Sequence, residues 1–332
     1  MMQGRWMAAM LLTMVLWGGA ALAATPLKVV TSFSILGDMV ANVGGDRIEV
    51  ITLVGPDGDA HVYEPSPADA KKVSSADLVV VNGLGFEGWL ERLVKASGYK
   101  GKIVVASEGV NPRAMEEEEH DHAKEEAKGH AKEHHDAKGH DHDHADAHHH
   151  GHDHGDVDPH AWQSLTNAKI YVNNIAKALV EVDPANASGY QQAEAAYLSE
   201  LENLDVWVKA QFAQIPEQKR RMITSHDAFG YLGETYGLQI LSPMGVNTAS
   251  EPSAGGVKKL IQQINREKIT AVFVENISDR RLVEQIAKES KVQVEGELYS
   301  DALSTKNGPA STYLNLFKNN VTKITEAMKR GL

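Results

Sequence analysis

The sequence predicts an α/β protein made of two (β/α) lobes with parallel sheets, joined by one long rigid helix. Two observations carry this. Short β-rich runs alternate with helical patterns early in the chain and again late in it, and such alternation implies βαβ units. Between the two series lies an unbroken amphipathic run with apolar residues in steps of three and four. A length of 332 residues, more than one core usually holds, agrees with two lobes.

In the first series the strand candidates are residues 28–33, 47–53, 78–82 and 102–107, separated by helical runs at 35–43, 67–75 and 87–96. The second series has strands at 222–225, 238–241, 270–275 and 292–298, with helices at 229–236, 257–266, 279–290 and 313–330. The connector opens on Asp183, a good N-cap, and Pro184, which suits the first helical position. Tyr190, Ala193, Tyr197, Leu201, Leu204, Val208 and Phe212 then form its apolar stripe, and Pro216 stops it. A helix of about 30 residues would be roughly 45 Å long at 1.5 Å per residue. The domains read as a first lobe over 24–183, a linker helix over 184–215 and a second lobe over 216–332.

Residues 1–23 read as a signal peptide, which places the mature protein in the periplasm. Arg5 gives the positive start, residues 7–16 are mostly apolar, and Ala21-Leu22-Ala23 forms an A-x-A cleavage pattern. The net charge of −12 argues against nucleic-acid binding and favours a cation as partner. The chain has no cysteine, so disulfides, thiolate metal sites, cysteine nucleophiles and a lipid-anchored N-terminal cysteine are all excluded. A tight transition-metal site must use imidazole and carboxylate. Residues 116–155 have no large apolar side chain to bury, and read as a disordered insertion in the first lobe with metal-binding composition.

That insertion holds 13 of the 16 histidines, and only His61, His160 and His226 lie outside it. Each of these three follows a predicted strand, and the carboxyl ends of parallel strands are where α/β folds place ligands. Asp301, just past the 292–298 strand, is in the matching position to complete the set across the interlobe cleft. Taken singly, a histidine after a strand is more often a hydrogen-bonded loop residue, and an Asp there is often a helix cap. Without cysteine, the set together is better explained by a metal site.

Gly58-Asp59-Ala60-His61-Val62-Tyr63-Glu64-Pro65, Asp158-Pro159-His160-Ala161-Trp162, Ser225-His226-Asp227-Ala228-Phe229-Gly230-Tyr231, Ser250-Glu251-Pro252-Ser253 and Ser300-Asp301 resemble segments of the zinc- and manganese-binding solute-binding proteins of ABC importers. The resemblance runs from about residue 28 to the C-terminus, leaving out the His tract. It implies two lobes joined by one helix, and His61, His160, His226 and Asp301 as ligands. Manganese-type relatives usually carry Glu where this chain has His226, so the resemblance favours the zinc branch. It departs from the enteric zinc form at Ala60, where that form has Glu, and in lacking its disulfide.

Three neutral imidazoles and a carboxylate make a closed N₃O set suited to Zn²⁺, whereas manganese prefers more oxygen ligands. The expected function is capture of periplasmic Zn²⁺ for an ABC importer permease, by a monomer that is not an enzyme and binds no nucleic acid. Further weaker Zn²⁺ is expected on the His tract, and periplasmic zinc chaperones are candidate partners. The alternatives are a manganese or iron importer component, an exported zinc buffer or chaperone, and a zinc hydrolase. The last lacks H-E-x-x-H, G-x-S-x-G and any evident general base.

Overall fold

The computed structural model describes residues 25–115 and 157–330. The expected signal peptide at 1–23 and His tract at 116–155 lie outside the described residues. Among the described residues, no helix is long and apolar enough to cross a membrane.

The first sheet contains β1 (Leu27–Phe33), β2 (Ile48–Val54), β3 (Leu78–Val81) and β4 (Lys102–Val105), all parallel, in the order β2-β1-β3-β4. The second contains β5 (Arg221–Ile223), β6 (Gln239–Leu241), β7 (Ala271–Glu275) and β8 (Val294–Leu298), all parallel, in the order β6-β5-β7-β8. The two sheets share one topology. In each, the chain winds outward in one direction and then reverses, which opens a crevice at the carboxyl ends of the strands.

Helices α1 (Ser34–Gly44), α2 (Pro67–Ser74), α3 (Leu90–Ser97) and α4 (Leu165–Val182) belong to the first lobe. α1 leaves β1 without a break and lies close over β2. A Cβ at Gly37 would stand 2.4 Å from Thr52 Oγ1, so only glycine allows this approach. α2 opens with Pro67 at its first position and a capping box between Ser66 and Asp69. α4 has no counterpart in the sequence reading, although Leu165, Ala168, Val172, Ile175 and Leu179 recur at helical spacing and are buried. α3 starts later than expected because Glu87 turns its carboxylate inward, accepting from Ser32 Oγ at 2.6 Å and Asn82 N at 2.6 Å.

The connector is α5 (Ala187–Phe212), 26 residues and so about 39 Å long. It is shorter than the 184–215 expected. Pro184–Asn186 form a 3₁₀ turn, and the Asp183 side chain accepts from Asn186 Nδ2 and Tyr190 Oη, both at 2.7 Å, rather than capping a backbone N–H. α5 packs on α1 and α4, and along the second lobe's last helix, α9 (Tyr313–Arg330). Its far end reaches α6 (Gly230–Tyr236), where Tyr236 Oη donates to the buried Asp205 at 2.8 Å. One apolar core therefore runs through both lobes along α1, α4, α5 and α9. A smaller core lies between the second sheet and the helices α7 (Ala254–Glu267) and α8 (Arg281–Ser290), around Ile223, Val272, Ile264 and Ile286.

Candidate metal centre

All four sequence-predicted residues meet between the lobes. Their ligand atoms lie within 4.8 Å of one another, the only such cluster of His, Cys, Asp and Glu among the described residues. His61 comes from the loop after β2, His160 from the chain returning after β4, His226 from the end of β5 and Asp301 from the turn after β8. Each thus sits past the carboxyl end of a strand, two from each lobe.

His61 Nε2 lies 3.2 Å from His160 Nε2 and 3.2 Å from Asp301 Oδ2. His226 Nε2 lies 3.1 Å from the same Asp301 oxygen, while Asp301 Oδ1 stands 3.6 Å from His160 Nε2. The His160, His226 and Asp301 side chains are fully buried, and that of His61 is 3% exposed.

Each ligand candidate is held from behind. Asp158 Oδ1 takes His160 Nδ1 at 2.7 Å and His160 N at 3.0 Å, and Asn82 Nδ2 donates to Pro159 O at 2.9 Å. Glu275, at the end of β7, accepts from Ser225 N at 2.7 Å and His226 N at 2.9 Å with Oε1; its Oε2 stands 2.6 Å from His226 Nδ1. These contacts turn both Nε2 atoms toward the centre. Asp59 accepts from His61 N at 2.9 Å and from Thr248 Oγ1 of the second lobe at 2.7 Å. Trp162 Nε1 and Gln163 Nε2 of the first lobe both donate to Ser300 O, at 3.0 and 2.8 Å, fixing the peptide before Asp301. Phe86 walls the site, its ring 4.8 Å from that of His61.

The electrostatics follow from burial set against carboxylates. Burial pushes the His160 imidazole down, but Asp301 and Asp158 outweigh it and carry it up to about 9. Burial also opposes the His226 cation, and Glu275 with Asp301 raises it well above the usual range. Burial dominates at His61 and lowers it. Asp301 is pushed up by burial, yet the His160 and His226 cations hold it well below the usual carboxylate range. The cluster is thus built to hold positive charge.

The sequence reading missed the orienting groups. Asp158 enters the sequence analysis only as part of the segment around His160, although a carboxylate two residues before a histidine is a local signal. Glu275 was read only as the end of a strand. An acidic residue closing an otherwise apolar strand was the available clue.

The family model of the periplasmic zinc-uptake complex component A (ZnuA) matches residues 29–327. The manganese-binding lipoprotein MntA of Halalkalibacterium halodurans is 32% identical over 304 residues, covering 92% of this chain and 89% of that protein. The iron ABC transporter substrate-binding lipoprotein MtsA of Streptococcus pyogenes is 33% identical over 310 residues, covering 92% and 89%. The periplasmic zinc-binding protein TroA of Treponema pallidum superposes with a TM-score of 0.76 at 25% identity, covering 92% of this chain and 99% of that structure. On this extent of similarity the chain belongs to the ZnuA family, the metal-binding, substrate-binding components of ABC transporters.

Proposed function

We propose that this protein captures Zn²⁺ in the periplasm and hands it to an ABC importer permease, with His61, His160, His226 and Asp301 as the ligands. The observation that carries this reading is the spacing of the donor atoms. A tetrahedron with bonds of roughly 2.0–2.1 Å has edges of about 3.3–3.4 Å, and three of the separations here are 3.1–3.2 Å. Three imidazoles and one carboxylate suit zinc better than manganese, which favours oxygen-rich sites of higher coordination. Asp158 and Glu275 occupy the Nδ1 atoms, leaving Nε2 of His160 and His226 to the cation. The four protein donors close the site, which supports a binding protein over a hydrolase with an open water position. Export, a monomeric state and weaker zinc binding on residues 116–155 remain part of this reading, with zinc chaperones as further partners.

A second reading has one observation in its favour. Both oxygens of Asp301 face imidazoles, at 3.1 and 3.6 Å, so a bidentate carboxylate could serve a five-coordinate ion such as the manganese or iron named in the relatives. Metal analysis of the mature protein and competition titration with Zn²⁺, Mn²⁺ and Fe²⁺ separate the two. Zinc is expected to be retained and to displace the others. His61→Ala, His160→Ala and His226→Ala should each abolish tight binding, and Asp301→Ala should weaken it less because water can replace the carboxylate. Retention of manganese against a zinc competitor, or wild-type zinc affinity in His226→Ala, would overturn the proposal.

A further inference from the structure

Arg113 carried no role in the sequence reading, yet it stands directly behind the orienting group of His160. Its Nη1 lies 3.2 Å from Asp158 Oδ2, while the other oxygen of Asp158 holds His160 Nδ1 at 2.7 Å. Asp158 is fully buried, and the Arg113 side chain is 22% exposed. The backbone locks the two residues together: Asp158 N donates to Arg113 O at 2.9 Å, and Ala114 bridges Val157 in antiparallel register. Arg113 and Asp158 stand on either side of residues 116–156, so this stem closes between the described residues themselves.

The second lobe completes the arrangement. Tyr231 Oη accepts from Arg113 N at 2.9 Å and donates to Asp158 O at 3.0 Å. Gly230, which begins α6, faces the pair so closely that a Cβ there would stand 2.4 Å from Arg113 Nη1 and 2.6 Å from Asp158 Oδ2. The absence of a side chain at Gly230 is what leaves room for the ion pair. α6 also follows His226 within four residues, so the seating of one ligand's helix is tied to the orientation of the other ligand.

Two physical effects follow. A carboxylate held at one oxygen can rotate about its Cβ–Cγ bond, whereas one held at both presents a fixed oxygen to Nδ1. The second effect concerns charge. Asp158, Glu275 and Asp301 bring three formal negative charges against the imidazoles. The Arg113 guanidinium sets a positive charge directly against one of them, Asp158.

We propose that Arg113 is a positioning residue for the metal site. It fixes the Asp158 carboxylate and, through it, the His160 ring. The proposal rests on the reading of His61, His160, His226 and Asp301 as ligands.

The test uses the full mature chain with two probes: zinc by competition titration, and Co²⁺, whose visible absorption reports ligand geometry. Arg113→Met is expected to weaken zinc binding roughly 10–100-fold, as loss of partners behind metal-bound histidines does. It should also shift the Co²⁺ bands while leaving far-UV circular dichroism unchanged. Arg113→Lys should recover part of the affinity. Gly230→Ala keeps every charge but crowds both Arg113 Nη1 and Asp158 Oδ2, so it breaks the pair and should reproduce the altered Co²⁺ spectrum. A folded Arg113→Met protein with wild-type zinc affinity and Co²⁺ spectrum would overturn the proposal. If Arg113→Met misfolds, a wild-type spectrum in Gly230→Ala would overturn it instead. His160→Ala distinguishes the levels: loss of zinc there beside an unaffected Arg113→Met defeats only the positioning role, and retained zinc defeats the ligand set itself.

Discussion

Glu275 holds His226 from two sides at once: Oε1 accepts the His226 backbone N–H at 2.9 Å, and Oε2 stands 2.6 Å from Nδ1 of the same residue. The two residues are far apart in sequence and lie at the carboxyl ends of the adjacent strands β5 and β7. One side chain thus sets both the backbone and the ring of a ligand. Glu275→Gln preserves the shape but offers Nδ1–H an amide NH₂ if its oxygen stays on the backbone donors. Zinc affinity should fall roughly 10–100-fold with the fold intact. Unchanged affinity by competition titration would show that the ring needs no such partner.

Zinc uptake should expel protons. The His160 imidazole, raised to about 9, and the raised His226 bind protons more tightly in the folded chain than the ordinary 6.5. In the metal-free protein the His160 contribution to stability is complete below that ordinary value and is lost as pH climbs through about 9. A cation must displace these protons from Nε2. Zinc affinity should therefore rise with pH from about 6.5 to about 9. Calorimetry near about pH 7.5 in buffers of different ionisation enthalpy should register proton release. A buffer-independent heat and a flat pH profile would contradict this.

Asp38 is a stability liability at neutral pH. Its carboxylate accepts from Tyr313 N at 2.9 Å at the start of α9, but burial raises it to about 6, more than its hydrogen bonds lower it. A carboxylate raised in this way favours the folded state when protonated, so stability falls as pH rises from about 4 to about 6. Asp38→Asn can still accept from Tyr313 N. It should stabilise the protein by up to about 3 kcal/mol at neutral pH, with the gain vanishing in acid. Thermal melts at the two pH values check the sign.

Removing residues 116–155 should leave one tight zinc ion per protein. The four proposed ligands all remain, and so does the stem that closes through Asp158 N and Arg113 O at 2.9 Å. Weaker ions should disappear, because a histidine-rich segment without a core must lose conformational entropy to wrap each metal. Such a segment raises the local zinc concentration near the cleft, so slower growth under zinc starvation is also expected. Calorimetric loss of the tight ion on deletion would mean that the ligands are wrongly assigned.

The sequence by itself determined the α/β class, the two series of strands and helices, the connector and the four residues that converge. Hydrophobic periodicity and strand-end position are local properties, and absent cysteine narrowed the metal donors to imidazole and carboxylate. α4 is legible in the same way, at Leu165, Ala168, Val172, Ile175 and Leu179. Asp158 lies two residues from His160, but tertiary structure alone brought the distant groups behind the ligands. Glu275 reaches His226 because β5 and β7 pair in parallel, Ile223 against Val272, which brings their carboxyl ends side by side. Arg113 meets Asp158 because Ala114 and Val157 bridge the two sides of residues 116–156. Gly230 matters because α6 of the other lobe lands on that pair. Pairings across such separations leave no periodic trace in the chain, since they are set by burial and register in the folded structure.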